Sequence, residues 1–475
     1  MNLASVAPHF FLNPKVRHTE NYKMDNALHS EVQGIKWPAL PGGAGAARLA
    51  TLFQLEQTQW WPEQQIRQHQ FKQISTLLQH CAQHVPYYRK LLGASFKPGN
   101  LEQQWLKIPI LTRDKIQQAG NTLSSERIPE TQGKARLQRT SGSTGKPIET
   151  LGTDITLFFW NVFTLRDHLW HHRDLTKKLA VIRYTEDERA QAPSGMLAKN
   201  WGQATQGLYN TGNSAVLSIF TPVSEQVAWL QSQAPEYLLT HPSVLKEIAI
   251  YCQNMNIKLP SLQEVRTISE SLPDGLRDLC NKVWGVPLID MYSTVELGYL
   301  ALQCPEHNHY HVQSEGVFIE VLDDNDKPCA PGETGRVIVT SLHNFAFPLI
   351  RYEVGDYAEM GEPCSCGRGL PVIKRILGRY RNMLRTESGE VKYPKLGIQD
   401  LYKIAPVQQF QALQLSLSEI EINLVLDRPL TKTEKETFHN KFQKSFGPDF
   451  HIEIKQVGSI SRSTNGKYEE FLSKL

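Results

Sequence analysis

Short apolar runs alternate with amphipathic stretches across the middle of the chain. Runs rich in β-branched and aromatic residues predict strands, and these are LAVIRY (179–184), AVLSIF (215–220), YLLTH (237–241), VRTIS (265–269), VPLIDMY (286–292), VFIEVL (317–322) and RVIVTSL (336–342). Stretches with apolar residues at helical spacing predict helices, and these are VSEQVAWLQSQ (223–233), SVLKEIAIYCQNM (243–255) and LPDGLRDLCNKVW (272–284). Such alternation is typical of an α/β fold in layers, with parallel strands.

The N-terminal part of the chain changes from a polar segment to a helical pattern. Residues 1–45 are polar and end in the stretch PALPGGAGAA, so we predict a poorly structured segment that ends in a Pro/Gly/Ala linker. Helical spacing then covers about 47–92, with Pro62 as a break and Pro86 as its end. Thr112 is predicted to cap a further helix.

A change of pattern after residue 380 marks a second, smaller unit. The segments QLSLSEIEINLVL and FHIEIKQV predict strands on either side of a helix near 431–446. We therefore expect three regions: the poorly structured segment 1–45, a large domain at 46–380, and a small α+β domain at 381–475.

The composition excludes several classes of protein. Of the 475 residues 40% are hydrophobic and 21% are charged, as in a globular protein. A net charge of +3 without a basic run gives no support for binding nucleic acid. No apolar stretch is long enough to predict a membrane span or a secretory signal. Seven cysteines in a chain of this length do not predict a disulfide scaffold, so the expected location is the cytoplasm.

The segment TSGSTGKP (140–147) is rich in glycine and hydroxyl residues and carries one lysine. Glycine allows a close approach to a ligand, successive backbone N–H groups can form an anion-binding concavity, and lysine adds a positive charge. The pattern predicts a polyphosphate site formed by Thr140, Ser141, Gly142, Ser143, Thr144, Gly145 and Lys146. It differs from a Walker A loop, because two residues separate the glycines and proline follows the lysine. A flexible surface loop is the alternative.

This segment resembles the phosphate loop of the adenylate-forming superfamily, which includes acyl-CoA synthetases, luciferases and nonribosomal adenylation domains. Four further segments resemble motifs of that family in the same order, and these are MYSTVELG (291–298), LIRYEVGD (349–356), ILGRYRNM (376–383) and NGK (465–467). The segments HCAQHVPYYRKLL, IPILTRDKI, NFAFPLIRYEVGD and CSCGRGLP are similar to the phenylacetate–CoA ligase branch, most of all to its capsular-polysaccharide biosynthesis relatives. The resemblance extends over about residues 65–475.

The resemblance implies an ATP-dependent, AMP-forming acid–thiol ligase with a large adenylate-forming domain and a small mobile C-terminal α+β domain. Such an enzyme joins a carboxylic acid, here expected to be aromatic, to AMP with release of pyrophosphate, and then transfers the acyl group to CoA. ATP, Mg²⁺ and CoA are therefore expected, and a homodimer is an expected assembly. Two alternatives stay open: a different acceptor (an amine, a hydroxyl or a carrier-protein thiol), and a nucleotide-binding protein without turnover.

The resemblance assigns roles to five residues of the predicted nucleotide site. Glu296 is expected to bind Mg²⁺, since hard cations prefer carboxylate and phosphate oxygens. Asp356 is expected to bind the ribose hydroxyls, and Arg379 to support the ribose or the phosphates. Tyr292 is expected to lie against the adenine, with an ordinary core tyrosine as the alternative. Glu270 takes the place of a family glutamate near the nucleotide, with a solvent-facing glutamate as the alternative.

Three further positions follow from the same resemblance. Lys467 is the expected catalytic lysine, which the C-terminal domain brings to the reacting oxygens only when it closes; a surface lysine is the alternative. Val295 replaces a threonine or serine of the family, so the hydrogen bond of that hydroxyl to the α-phosphate is lost unless Thr294 supplies it. Arg381 stands at the hinge position, where many relatives have an acidic residue.

Cysteine and histidine residues gather in two segments that are far apart in sequence. Two cysteines lie in a tight turn ahead of two glycines, and a third is followed closely by three histidines. Three thiolates with one imidazole are a familiar tetrahedral zinc set, and the resemblance favours the last histidine. We therefore expect one structural zinc ion bound by Cys304, His311, Cys364 and Cys366, with reduced thiols and solvated histidines as the alternative.

The identity of the acid does not follow from the sequence. Trp201, Tyr209, Thr240 and His241 lie in segments that could line an acyl pocket. Packing in the core and a helix N-cap are the alternatives for these residues. The substrate is therefore predicted only as a carboxylic acid.

Overall fold

The computed structural model describes residues 28–93, 96, 97, 99, 101–139, 147–389, 391–394, 396, 401, 403–463 and 466–475. Within them the helices are α1 (Gly43–Thr58), α2 (Glu63–His84), α3 (Pro86–Leu92), α4 (Leu101–Gln104), α5 (Arg113–Ala119), α6 (Asp154–Trp170), α7 (Val223–Gln233), α8 (Pro242–Asn254), α9 (Leu276–Trp284) and α10 (Lys432–Phe446).

The strands of the large domain are β1 (Arg136–Arg139), β2 (Glu149–Gly152), β3 (Leu179–Arg183), β4 (Met196–Ala198), β5 (Ser214–Ser218), β6 (Tyr237–Thr240), β7 (Glu264–Thr267), β8 (Leu288–Thr294), β9 (Gly298–Gln303), β10 (Tyr310–Val312), β11 (Val317–Leu322), β12 (Thr334–Ser341), β13 (Tyr352–Met360) and β14 (Val372–Arg379). The C-terminal unit adds β15 (Leu384–Arg385), β16 (Val391–Lys392), β17 (Val407–Gln414), β18 (Glu419–Leu426), β19 (His451–Gln456) and β20 (Phe471–Ser473).

The large domain is organised around one 12-stranded sheet. Its strand order is β11-β12-β13-β14-β10-β9-β8-β7-β6-β3-β5-β4. Strands β5, β3, β6, β7 and β8 run parallel, and β4 lies antiparallel at the edge. Helices α7, α8 and α9 connect successive parallel strands and pack their apolar faces on this half of the sheet. The predicted fold class, a large α/β domain with a smaller α+β domain, is confirmed.

The other half of the sheet differs from the expectation of parallel strands. All neighbours from β8 through β9, β10, β14, β13 and β12 to β11 pair antiparallel. The apolar runs VFIEVL and RVIVTSL thus form an antiparallel pair, β11 and β12. The physical reason is the connection: no helix crosses over between these strands, and only three residues separate β8 from β9. So short a link permits only antiparallel pairing.

The N-terminal helices follow the sequence pattern with two differences. Pro62 separates α1 from α2, as predicted. Helix α1 begins at Gly43, inside the stretch predicted as a linker. Helix α2 ends at His84, just before Pro86 as expected, but a further helix follows, because Pro86 occupies the first turn of α3, where a missing N–H breaks no helical hydrogen bond. Thr112 caps α5 as predicted, accepting from the Lys115 N–H at 3.4 Å.

The C-terminal unit has a sheet and a core of its own. The sheet order is β19-β18-β17-β20, with an antiparallel central pair and parallel outer pairs. Phe438, Phe442 and Phe446 lie four residues apart on α10 and are buried in this core. The predicted domain boundary falls at a 3₁₀ turn, Tyr380–Asn382, between β14 and β15. Among the described residues, no helix is both long enough and apolar enough to cross a bilayer.

Candidate active site

A cavity of about 290 Å³ lies beyond the carboxyl ends of β7 and β8, where the large domain meets the C-terminal unit. Open α/β sheets bind their ligands at this edge, because loops and helix N-termini converge there. Seven of the predicted site residues line it, and these are Glu270, Tyr292, Thr294, Glu296, Asp356, Arg379 and Lys467. Residues far apart in the sequence, from both domains, are thus brought to one place.

Asp356, on β13, is held between Arg379 of the neighbouring strand β14 and Tyr292 of β8. β13 and β14 place Asp356 opposite Arg379, and 2.8 Å separate Asp356 Oδ1 from Arg379 Nε. The Tyr292 hydroxyl donates to Asp356 Oδ2 at 2.7 Å. The charge of Asp356 raises the pKa of Arg379, so this guanidinium stays charged. The fixed carboxylate keeps lone pairs with which it can accept further hydroxyl donors, such as those of a ribose.

Tyr292 contributes to this cluster through its hydroxyl. Its side chain is only 7% exposed and belongs to the main hydrophobic core of the large domain. Burial, and then the charge of Asp356, raises the pKa of Tyr292 well above its usual value, so the phenol remains a donor. The predicted contact of its ring with adenine stays a prediction.

The three-residue turn between β8 and β9 presents a carboxylate, a hydroxyl and an apolar side chain to the cavity. Thr294 Oγ1 accepts from the Leu297 N–H at 3.1 Å, which fixes the turn. Glu296 is buried, and burial raises the pKa of its carboxyl. Val295 is 53% exposed and cannot donate a hydrogen bond, so Thr294 carries the hydroxyl of this turn.

Glu270 lies between the N-terminus of α8 and the C-terminal unit. It accepts from the Ser243 N–H at 3.0 Å and from the Tyr468 N–H at 2.9 Å, and 3.6 Å separate it from His241 Nδ1. Burial alone would raise the pKa of Glu270, but the interactions with His241 and the two N–H groups lower it. Glu270 therefore stays ionised and ties the segment next to Lys467 to the large domain.

Lys467 reaches the cavity from the C-terminal unit. Burial, and then the nearby positive charge of Arg379, lowers the pKa of its ammonium group, whereas Asp356, Glu270 and Glu296 act in the opposite direction. Its backbone is fixed locally, because its N–H donates to Ser463 Oγ at 3.0 Å and its carbonyl accepts from the Ser463 N–H at 2.8 Å. Charged side chains from the large domain and from the C-terminal unit therefore line the same cavity.

Further polar contacts join the C-terminal unit to α8. Arg462 donates to Ser243 Oγ at 2.7 Å and pairs with Glu247 at 2.7 Å, and Lys246 pairs with Glu470. Sequence reasoning missed these residues, because their partners lie about 220 positions away.

Arg381 lies in the 3₁₀ turn between the domains. Its Nε donates to Glu469 Oε1 at 3.1 Å, two residues beyond Lys467. The residue predicted as the hinge is therefore paired, in this arrangement, with the segment that carries the predicted catalytic lysine.

The predicted phosphate loop, Thr140 to Lys146, lies outside the described residues, as does Asn465. The strands that flank the loop, β1 and β2, form an antiparallel pair in which Arg139 lies opposite Glu149. The roles of the loop residues stay predictions.

The candidates for the acyl pocket are placed elsewhere. Trp201 donates to the Lys177 carbonyl at 2.8 Å and packs against Tyr237, and Tyr209 is buried in the same core region. The cavity residues that sequence reasoning missed include Arg113 and Trp160, on α5 and α6. Arg113 belongs to the segment IPILTRDKI, which was a signal of the branch, whereas nothing local marks Trp160.

Thr240 and His241 precede α8 and are buried next to the cavity rather than lining it. Thr240 ends β6, and His241 occupies the N-cap position of α8 without a capping bond from its side chain. His241 instead supports Glu270. Neither residue lines this cavity, so a role for them in an acyl pocket stays a prediction.

The predicted zinc ligands come from three neighbouring places in the fold: the end of β9, strand β10 and the segment before β14. The donor atoms of Cys304, His311, Cys364 and Cys366 all lie within 4.8 Å of one another. His311 Nε2 is 3.4 Å from Cys366 Sγ, and His311 Nδ1 is 3.4 Å from the Leu370 carbonyl. Such an outer partner fixes the imidazole tautomer with Nε2 free to ligate. Tetrahedral zinc suits three thiolates and one imidazole, so these residues fit a structural zinc ion.

Comparison with known proteins gives three findings. Residues 385–474 match the model of the CapK C-terminal domain. The chain is 25% identical over 342 residues to a phenylacetate–coenzyme A ligase of Thermus thermophilus, covering 68% of this chain and 72% of the relative. It is 23% identical over 399 residues to protein CapK of Staphylococcus aureus, and the match covers 79% of this chain and 81% of the relative.

Solved structures of 2-hydroxyisobutyryl-CoA ligase share the fold. The postadenylation state has a TM-score of 0.69 at 17% identity, covering 88% of this chain and 92% of that one. The thioesterification state of the same ligase has a TM-score of 0.56, and the match covers 88% of this chain and 91% of that one. The phenylacetate–CoA ligase and CapK relatives, the CapK C-terminal domain match and the shared ligase fold all fit the resemblance seen in the sequence motifs.

Proposed function

We propose that this protein activates a carboxylic acid with ATP as an acyl-adenylate, releasing pyrophosphate, and then transfers the acyl group to CoA. The observation that carries the proposal is the convergence of Glu296, Asp356 and Arg379 with Lys467 in one cavity between two domains. A carboxylate and a triphosphate repel each other, and their reaction adds charge at the α-phosphate. Positive groups held in advance on opposite sides are what such a transition state requires.

Each residue of the cavity has a separate role in the proposed reaction. Asp356, fixed by Tyr292 and Arg379, accepts the ribose hydroxyls and so holds the nucleotide. The acid's carboxylate oxygen attacks the α-phosphorus, and the bond to pyrophosphate breaks. Lys467, from the C-terminal unit, stabilises the negative charge that collects on the bridging and carboxylate oxygens. Thr294 supplies the hydroxyl that Val295 cannot.

Glu296 suits the magnesium ion that such reactions use. It is a buried carboxylate whose pKa burial raises, so its ionised form lacks hydration and gains most from a hard cation. Mg²⁺ there would neutralise charge on the phosphate oxygens.

The walls of the cavity support a carboxylic acid with an apolar or aromatic body. Trp160, Ile268, Met291 and Val295 line it beside the charged groups. The ring of Trp160 also packs against Tyr299, at a centroid distance of 4.6 Å and an interplanar angle of 38°. An acceptor other than CoA, namely an amine, a hydroxyl or a carrier-protein thiol, is the second candidate, because the adenylation site would be the same.

The test is pyrophosphate release from ATP over a panel of aromatic and aliphatic carboxylic acids, with full-length, metal-loaded protein. Release that depends on one acid or a narrow group supports the proposal. A second screen with that acid then compares CoA with amines and alcohols. Tight ATP binding without release for any acid would favour a nucleotide-binding protein without turnover.

Glu296 predicts the pH dependence of the first step. Because burial raises the pKa of its carboxyl above the ordinary 4.5, adenylation should fall as the pH drops through that raised pKa. Metal and proton compete for the carboxylate, so a tenfold increase in free Mg²⁺ should move this acid limb down by up to about one pH unit. Initial rates at several Mg²⁺ concentrations measure the shift.

Glu296→Gln should abolish the Mg²⁺-dependent movement, whereas Glu421→Gln, on β18 of the C-terminal unit, should keep it. If the midpoint of the acid limb in the parent protein does not change with the Mg²⁺ concentration, the role of Glu296 is contradicted.

We propose that residues 381–475 act as a lid, that Cys304, His311, Cys364 and Cys366 bind a structural zinc ion, and that the protein works in the cytoplasm. All seven cysteines, each within the described residues, are free of disulfide bonds, which suits a reducing compartment. A homodimer stays a prediction, and light scattering of the purified protein would test it.

A further inference from the structure

The cysteine and histidine cluster holds a second set of donors beside the predicted zinc ligands. The donor atoms of Cys304, His307, His309 and Cys364 also lie within 4.8 Å of one another. This set shares Cys304 and Cys364 with the first. We call Cys304, Cys364, Cys366 and His311 the inner site, and Cys304, Cys364, His307 and His309 the outer site.

The distances of the outer site match those around a tetrahedral metal ion. Zinc bonds of about 2.3 Å to sulfur and about 2.05 Å to nitrogen, at tetrahedral angles, set ligand separations of about 3.8 Å between sulfurs and about 3.5 Å between sulfur and nitrogen. Cys304 Sγ and Cys364 Sγ are 3.8 Å apart, and His307 Nδ1 is 3.5 Å from each of them. His309 Nε2, at 3.0 Å from Cys364 Sγ, is the fourth donor and lies somewhat closer.

The two outer histidines are also oriented for metal binding. The rings of His307 and His309 stack at 5.0 Å with an angle of 8°, and His307 Nε2 lies 3.2 Å from Ser365 Oγ. A partner on the nitrogen that faces away from the metal is what orients a ligating imidazole. In the inner site, the Leu370 carbonyl is the corresponding partner of His311, at Nδ1.

We propose that this cluster binds two zinc ions that share the thiolates of Cys304 and Cys364. Each bridging sulfur donates one lone pair to each metal ion, and each thiol releases its proton when the first metal ion binds. Every ion then has four protein ligands, so both are structural rather than catalytic. The proposal does not depend on the ligase activity.

The two ions should differ in how strongly they are held. His311 is fully buried, whereas His307 and His309 are half-buried. The inner site has three sulfur ligands, and the outer site has two sulfurs and two nitrogens. A chelator should therefore remove the outer ion quickly and the inner ion slowly.

The first test is metal stoichiometry of the full chain, free of any affinity tag, after equilibration with zinc and removal of unbound metal. We expect two zinc ions per chain in the parent protein and one in His307→Ala and in His309→Ala. His439→Ala, an exposed histidine of α10, is the matched control and should keep two. Melting temperatures of the four proteins show whether the variants fold.

The second test uses Co²⁺ in place of zinc. Thiolate-to-cobalt absorption should increase up to two equivalents, and the paramagnetic resonance signal should grow to one equivalent and then decrease, because bridged ions couple. In His309→Ala the signal should grow to one equivalent and stay. A plateau at one metal ion per chain in the parent protein would overturn the proposal, as would two ions in folded His307→Ala and His309→Ala variants.

Discussion

Replacing Lys467 by alanine should reduce formation of the acyl-adenylate by about 100- to 1000-fold, the effect of removing one preorganised donor from a developing charge. ATP binding should change by less than about threefold, under 1 kcal/mol. The difference arises because Asp356 and Arg379 hold the nucleotide, whereas Lys467, which lines the same cavity, acts on charge that builds up only during transfer. Single-turnover rates and a nucleotide titration measure the two quantities.

The same variant separates the two half-reactions. Supplied with synthetic acyl-adenylate, Lys467→Ala should transfer the acyl group to the acceptor at a rate near that of the parent protein, because the lid is expected to have rotated away by then. Lys474→Ala is the matched control, an exposed lysine on the same terminal segment, and should affect neither step. Equal loss of both half-reactions in folded Lys467→Ala would make Lys467 a binding or structural residue.

Replacing Arg381 by proline should have the opposite effect on the two half-reactions. Proline restricts φ to about −65°, a value that a 3₁₀ turn such as Tyr380–Asn382 accommodates, so the turn between the domains would lose the freedom to rotate. Acyl-adenylate should still form, whereas transfer to the acceptor should fall by about 100-fold or more, a barrier increase of roughly 3 kcal/mol. Single-turnover measurements of each step test this.

Arg381→Ala is the matched control for that substitution. It removes the pairing of Arg381 with Glu469 but leaves the backbone free, so both half-reactions should stay within about fivefold of the parent rates, roughly 1 kcal/mol. If alanine and proline impair transfer equally, the side chain matters and not the turn, and the hinge assignment is wrong.

The parallel half of the sheet could be predicted from the sequence because each strand there is an uninterrupted apolar run followed by an amphipathic helix. The antiparallel half could not, because β11 and β12 have the same kind of apolar run and periodicity does not report strand direction. Pro86 shows the same limit on a smaller scale. A proline ends one helix and also suits the first turn of the next. Only the residues that follow it determine whether a second helix begins there.

The candidate site was predicted where a motif carries the residue and missed where a long-range contact does. Glu296, Asp356 and Lys467 were found from their motifs, and the structure brings them to one cavity. Arg462, which binds α8 across the domain interface, carries no local signal. For Trp201 the sequence left a pocket and a core position open, because a tryptophan near a strand end looks the same in both, and the structure packs it against core residues.

The central claim is that the acid's carboxylate attacks the α-phosphorus of ATP, and oxygen transfer tests it most directly. The acid found by the pyrophosphate screen is labelled with ¹⁸O in both carboxylate oxygens, and the nucleotide product of the complete reaction is analysed by mass spectrometry. One labelled oxygen should appear in AMP, because acyl transfer leaves the attacking oxygen on phosphorus. Label in inorganic phosphate with ADP as the nucleotide product, or AMP without label, would contradict the account.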